Sequence, residues 1–129
     1  MKAIVILSIL LSGSLSFPKA QNCTDYDKFT DVSMKEMKTI VKNKSATIFD
    51  VNSEKSFKKS HIPGAIHFAS NKDNFQKVLP KDKSTMIVAY CGGKMCTAWQ
   101  RAAKAACEMG YTNIRHFSEG IKGWNKRTQ

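Results

Sequence analysis

The stretch Thr85-Met86-Ile87-Val88-Ala89-Tyr90-Cys91-Gly92-Gly93-Lys94-Met95-Cys96-Thr97 holds the longest apolar run outside the N-terminus and a sharp break after it. Residues 85–90 are of strand length, and five of the six are apolar, so the run reads as a central strand buried on both faces. Cys91 stands where it ends. Gly92 and Gly93 then let the backbone curl, so that successive N–H groups converge on one spot. Residues 97–109 follow as an alanine-rich helix, with Ala98, Ala102, Ala105 and Ala106 on a close-packing face. A helix start adds partial positive charge to such a loop. Together with the Lys94 cation, this predicts a Cys91 thiol pKa below the ordinary value of about 8.5. A buried small hydrophobe would also explain Cys91, but not the glycine pair and lysine after it.

Outward from this stretch, short strands alternate with helices. Ser33-Met34-Lys35-Glu36 is a capping box that opens a helix over 33–43. Residues 46–51 and 65–68 read as strands. Polar residues 52–60 read as a loop with a helical turn at 54–59. His61-Ile62-Pro63-Gly64 is a turn, and residues 74–79 form a brief helix ended by Pro80. Gly110 terminates the long helix, residues 113–117 form the last strand, and 120–124 a turn with a short helix that packs Trp124. This alternation predicts a parallel sheet with helices on both faces, its ligand site beyond the carboxyl ends of the strands. Cys91 lies at such an end.

The first 20 residues read differently. Lys2 precedes an apolar run over 3–11, and small and polar residues follow. This is the pattern of a secretory signal peptide, cut after Ser16 or Ala20; an uncut N-terminal anchor is the alternative. The run is shorter than the roughly 20 residues that span a bilayer. The expected division is therefore a signal peptide over 1–20 and one domain over 21–129. The product is an exported protein, periplasmic or secreted, with no stable membrane association after cleavage. Removing Lys2 and Lys19 leaves 19 basic residues against 10 acidic ones, a net charge of +9. That balance attracts anions. The lysines are scattered, with no aromatic-interleaved basic face, so nucleic acid is not expected as a partner.

Of the four cysteines, Cys23, Cys91, Cys96 and Cys107, three cluster late in the chain. An oxidising compartment permits disulfides. The chain is nonetheless long enough to form a core without them, so a functional thiol is expected in preference to two structural bridges. Cys107 reads as core, and Cys23 has no assigned partner. No second Cys or His pair follows Cys91 and Cys96 at a zinc-ligand spacing, so no metal is expected.

Asp50, His61-Ile62-Pro63-Gly64-Ala65, the loop from Tyr90 to Thr97, Gly110-Tyr111 and Gly120-Ile121 with Trp124 together resemble a single-domain rhodanese across nearly all of residues 21–129. The resemblance implies a three-layer α/β fold with a central, mostly parallel five-stranded sheet flanked by helices. It implies a monomeric, cofactor-free sulfurtransferase. The Cys91 thiolate would take sulfane sulfur from a small anionic donor such as thiosulfate and hand it, as a persulfide, to cyanide or a thiol. Gly92, Gly93, Lys94, Met95, Cys96 and Thr97 would form the substrate-binding loop. The six-residue loop is that of sulfur-transferring members, and Thr97 stands where cysteine phosphatases need arginine. Asn52, Gly92 and Cys96 occupy positions where the family often has arginine. Bidentate anion recognition is thereby lost, and weak thiosulfate binding is expected. Cys96 reads either as a resolving thiol for a Cys91 persulfide or as a small residue at the helix start. A thiol–disulfide oxidoreductase using Cys91 and Cys96, or a non-catalytic anion- or persulfide-binding module, are the alternatives.

Overall fold

The computed structural model describes residues 13–16 and 21–129. The expected signal peptide falls mostly outside the described residues. Among the described residues, no helix is long and apolar enough to cross a membrane.

The elements follow in the order α1 (Met34–Asn43), β1 (Thr47–Asp50), α2 (Glu54–Lys59), β2 (Ile66–His67), α3 (Phe75–Val78), β3 (Ile87–Tyr90), α4 (Trp99–Glu108), β4 (Ile114–His116) and α5 (Gly120–Thr128). The strands form one parallel sheet in the order β2-β1-β3-β4. The most apolar strand, β3, lies inside the sheet and all four of its residues are buried.

The sheet has four strands among the described residues, against the five expected. A neighbouring segment runs beside β4 but forms only an isolated parallel bridge, Asp31 to His116. Val32 donates to the His116 carbonyl and His116 to that of Thr30. Pairing stops there because Ser33 is already the N-cap of α1. Its hydroxyl accepts from the Glu36 amide at 3.2 Å, and the Glu36 carboxylate accepts from the Ser33 amide at 2.9 Å.

Strand alternation divides the core in two. Phe49, Ile87, Ala89 and Cys91 face one layer, where α4 lays down Ala102, Ala103 and Ala106, all three fully buried. Ile48, Val88 and Tyr90 face the other, against Met37 and Ile40 of α1 and Trp124 of α5. The alanines let α4 approach the sheet closely, and the layer takes in Ala103, which the expected face omitted. Each fully buried Phe, Ile or Val contributes about 1.5–3 kcal/mol relative to exposure.

All four cysteines are paired, as Cys23–Cys107 and Cys91–Cys96. Two bridges are therefore present where a functional thiol was expected in preference to two structural bridges. Cys107 is buried, as expected of a core residue, but it also ties α4 to the segment ahead of α1. The reason is proximity: the two α-carbons lie 5.6 Å apart across 84 positions of sequence, inside the range a disulfide spans.

Candidate functional site

The site is built at the carboxyl end of β3. Period-2 alternation places Cys91 on the α4 face, where it is buried at 1 % exposure. The chain then leaves the sheet, and α4 begins at Trp99 rather than near Thr97. The Cys96 amide donates back to the Gly93 carbonyl at 3.0 Å, and Thr97 and Ala98 accept tight bonds from Gln100 and Arg101 ahead of the regular helix. The loop therefore runs from Cys91 to Ala98. Lys94 and Met95 stand exposed at its tip, Met95 at 95 %. Cys96 folds back half-buried, with its α-carbon 6.2 Å from that of Cys91. Thr97 is exposed at the approach to α4.

The start of α5 sets the orientation of the loop amides. Ile121 and Lys122 donate their N–H groups to the Cys91 and Gly92 carbonyls, each at 3.0 Å. A trans peptide carries its C=O and N–H on opposite sides, and no peptide here is cis. Anchoring those two carbonyls on α5 therefore turns the Gly92 and Gly93 N–H groups away from α5. Among the described residues, the amides of Gly92, Gly93, Lys94 and Met95 have no acceptor within the chain. Adjacent free donors of this kind form an anion-binding nest.

Gly120 makes that contact feasible. Its φ is +59°, and a Cβ there would lie 2.5 Å from the Cys91 carbonyl oxygen and 2.7 Å from the Gly93 nitrogen. Both are backbone atoms that cannot swing aside. The local sequence marks Gly120 as a turn residue; that it seats α5 on the cysteine loop emerges only from the tertiary contact.

Beneath the loop, a buried polar cluster holds the end of β1. The Asp50 carboxylate accepts from the Asn52 amide at 2.8 Å and from the Tyr90 hydroxyl at 2.5 Å. The Tyr90 oxygen in turn accepts from the Ile62 amide. Burial, with the Asp50 carboxylate beside it, pushes the Tyr90 phenol pKa far up, so the phenol stays protonated and donates. His67 donates from Nε2 to the Asn52 carbonyl at 2.8 Å and pairs Nδ1 with the Ser70 hydroxyl. Thus held, the Asn52 side chain lies against Gly92, and its buried Nδ2 has no partner among the described residues. His61 is elsewhere: it stacks on Phe57 at 3.9 Å, and its ring nitrogen meets the Phe57 carbonyl at the end of α2.

A shallow hollow of about 320 Å³ opens on the α5 side of the loop, lined by Gly93, Lys94, Lys122, Lys126 and Arg127. Glu119 pairs with Arg127 at 3.5 Å, leaving the wall net positive. A larger hollow, about 630 Å³, runs between Phe68, Phe75 and α4, and no residue of the cysteine loop lines it.

A parallel α/β sheet ending in a cysteine loop defines a class, and comparison with known proteins names it. Residues 33–127 match the rhodanese-like domain, and the chain belongs to that family. It is similar to the thiosulfate sulfurtransferase GlpE of Shewanella oneidensis, 27 % identical over 101 residues that cover 76 % of this chain and 94 % of that one. It is 31 % identical over 105 residues, 77 % of its length, to the adenylyltransferase and sulfurtransferase UBA4 of Candida albicans, of which it spans only 24 %. Among solved structures, the human single-domain sulfurtransferase TSTD1 superposes with a TM-score of 0.61 at 22 % identity, covering 75 % of this chain and 96 % of that one. That likeness speaks to the fold.

Proposed function

We propose that the protein is a sulfurtransferase that carries sulfane sulfur as a persulfide on Cys91, from a small anionic donor such as thiosulfate to a thiophilic acceptor, cyanide or a thiol. The observation that carries this reading is the orientation of the Gly92 and Gly93 amides, fixed from behind by α5, beside a cysteine at the end of the central strand. Membership of the rhodanese-like family supports it.

The reacting form is the dithiol, since Cys91 must be free to attack. Its thiolate displaces sulfite from thiosulfate: the new S–S bond forms at Cys91, the donor S–S bond breaks, and sulfite leaves with the electron pair. Cyanide then takes the terminal sulfur as thiocyanate and returns the Cys91 thiolate. The free loop amides stabilise the thiolate and hold the donor's oxyanion, as donors preorganised toward developing charge do. The basic hollow beside the loop favours anionic substrates. The protein acts as a monomer, without metal or cofactor, after export by the N-terminal signal peptide to a periplasm or the exterior.

The test is thiocyanate formation from thiosulfate and cyanide by the reduced 21–129 chain. Turnover that Cys91→Ser abolishes is expected. Turnover that survives Cys91→Ser would overturn the site assignment, and no turnover with thiosulfate would overturn that choice of donor.

A further inference from the structure

We propose that Cys91 and Cys96 form a working dithiol that reduces the transferred sulfur to hydrosulfide, with Cys96 also the entry point for the thiol that resets the enzyme. The inference rests on the sulfurtransferase reading of Cys91 and extends it from sulfur relay to sulfide release.

Three observations carry it. The first is proximity. The two cysteines belong to one loop, their α-carbons are 6.2 Å apart, and their sulfurs are bonded. Cys96 reaches this place through the turn that its amide closes on the Gly93 carbonyl, so the loop itself brings it over Cys91. The second is independence. Cys23 and Cys107 pair with each other, so the described chain offers Cys91 no other thiol partner. The third is asymmetry. Cys91 is 1 % exposed, whereas Cys96 is half-buried beside the exposed Met95.

The cycle follows from ordinary thiol exchange. With both cysteines reduced, Cys91 takes a sulfur atom from the donor and becomes a persulfide. The Cys96 thiolate attacks the Cys91 sulfur. A Cys91–Cys96 bond forms, the bond to the terminal sulfur breaks, and hydrosulfide leaves with the electron pair. The sulfane sulfur is reduced by two electrons, and the two thiols are oxidised to a disulfide. An external thiol supplies those electrons back. It attacks Cys96, the less buried of the two, and expels Cys91 as a thiolate onto the loop amides. A second thiol frees Cys96 and leaves as the external disulfide. The asymmetry assigns the order: attack goes to the less buried cysteine, and the better-stabilised thiolate departs.

Reduced, desalted 21–129 protein is mixed with one equivalent of thiosulfate without added thiol. Hydrosulfide is measured, and intact mass is taken after alkylation. Wild type is expected to release close to one equivalent of hydrosulfide and to end with Cys91 and Cys96 both protected from alkylation. Cys96→Ser and Cys96→Ala are expected to hold one added sulfur atom and to release little hydrosulfide. Two substitutions are used so that one poorly folded variant does not decide the matter. A wild-type protein that keeps its extra sulfur with Cys96 open to alkylation would overturn the inference and leave the sulfurtransferase reading standing. Failure of wild type and both Cys96 variants to take up sulfur or release hydrosulfide would overturn the inference together with thiosulfate as the donor. Limiting glutathione added to the oxidised protein, followed by acid quench, is expected to leave its adduct on Cys96; an adduct on Cys91 would refute the proposed order of attack.

Discussion

At the scale of single residues, the site depends on a glycine as much as on its cysteine. Cys91 supplies the sulfur nucleophile, but Gly120 permits α5 to take the Cys91 and Gly92 carbonyls and so turn the neighbouring amides outward. Gly120→Ala should therefore act on stability and chemistry together. Its positive φ alone costs a side-chain-bearing residue about 1–2 kcal/mol, and the 2.5 Å backbone contact adds to that. A urea midpoint below wild type, with sulfur loading slowed by about tenfold or more, is expected; the rate loss corresponds to at least about 1.4 kcal/mol in the transition state. Unchanged loading would mean that the α5 contact does not orient the loop. Cys91 was legible because a strand-length apolar run ends on it beside two glycines. Gly120 was legible only as a turn, because its constraint is contact with a backbone 27 to 29 positions earlier.

Elements show a similar division. β3 and α1 were legible from an apolar run and a capping box, both local signals. The start of α4 was not: the chain passes from the Cys96–Gly93 turn through tight bonds from Gln100 to Thr97 and from Arg101 to Ala98 before the regular helix begins at Trp99. What pins α4 there is a stack: His116 of β4 lies flat on Trp99, ring centres 3.7 Å apart. Burial lowers the His116 pKa to about 4, with the Asp31 carboxylate opposing weakly. Below the ordinary value of about 6.5, the unfolded chain therefore binds a proton at this position that the folded chain refuses. Its contribution is complete above that value and is lost as pH falls toward 4. The urea midpoint should drop between pH 7 and pH 5, and His116→Phe should flatten that drop. The Glu36 carboxylate, held at about 2 chiefly by the Ser33 amide and also by Arg115, titrates in a more acidic window and leaves this interval clear. An equal drop in His116→Phe would assign the acid sensitivity elsewhere.

For the whole molecule, two disulfides serve two ends. Cys23–Cys107 closes 84 positions of sequence and fastens the segment ahead of α1 to the back of α4. Such a bridge stabilises by about 2–4 kcal/mol. The double substitution Cys23→Ser with Cys107→Ala should lower stability by that order while leaving sulfur loading at Cys91 intact. Loss of loading in a variant that remains folded would tie this bridge to the site. The pairing was not legible beforehand because it depends on where the chain returns in space, which no spacing encodes. The overall architecture was legible, apart from a fifth strand reduced to one bridge at Asp31. The most direct measurement is peptide mapping of reduced Cys96→Ser protein after exposure to thiosulfate. One added sulfur atom on the peptide that carries Cys91, and none in the protein that also bears Cys91→Ser, is the predicted result. Sulfur gained equally without Cys91, or gained by neither protein, would contradict it.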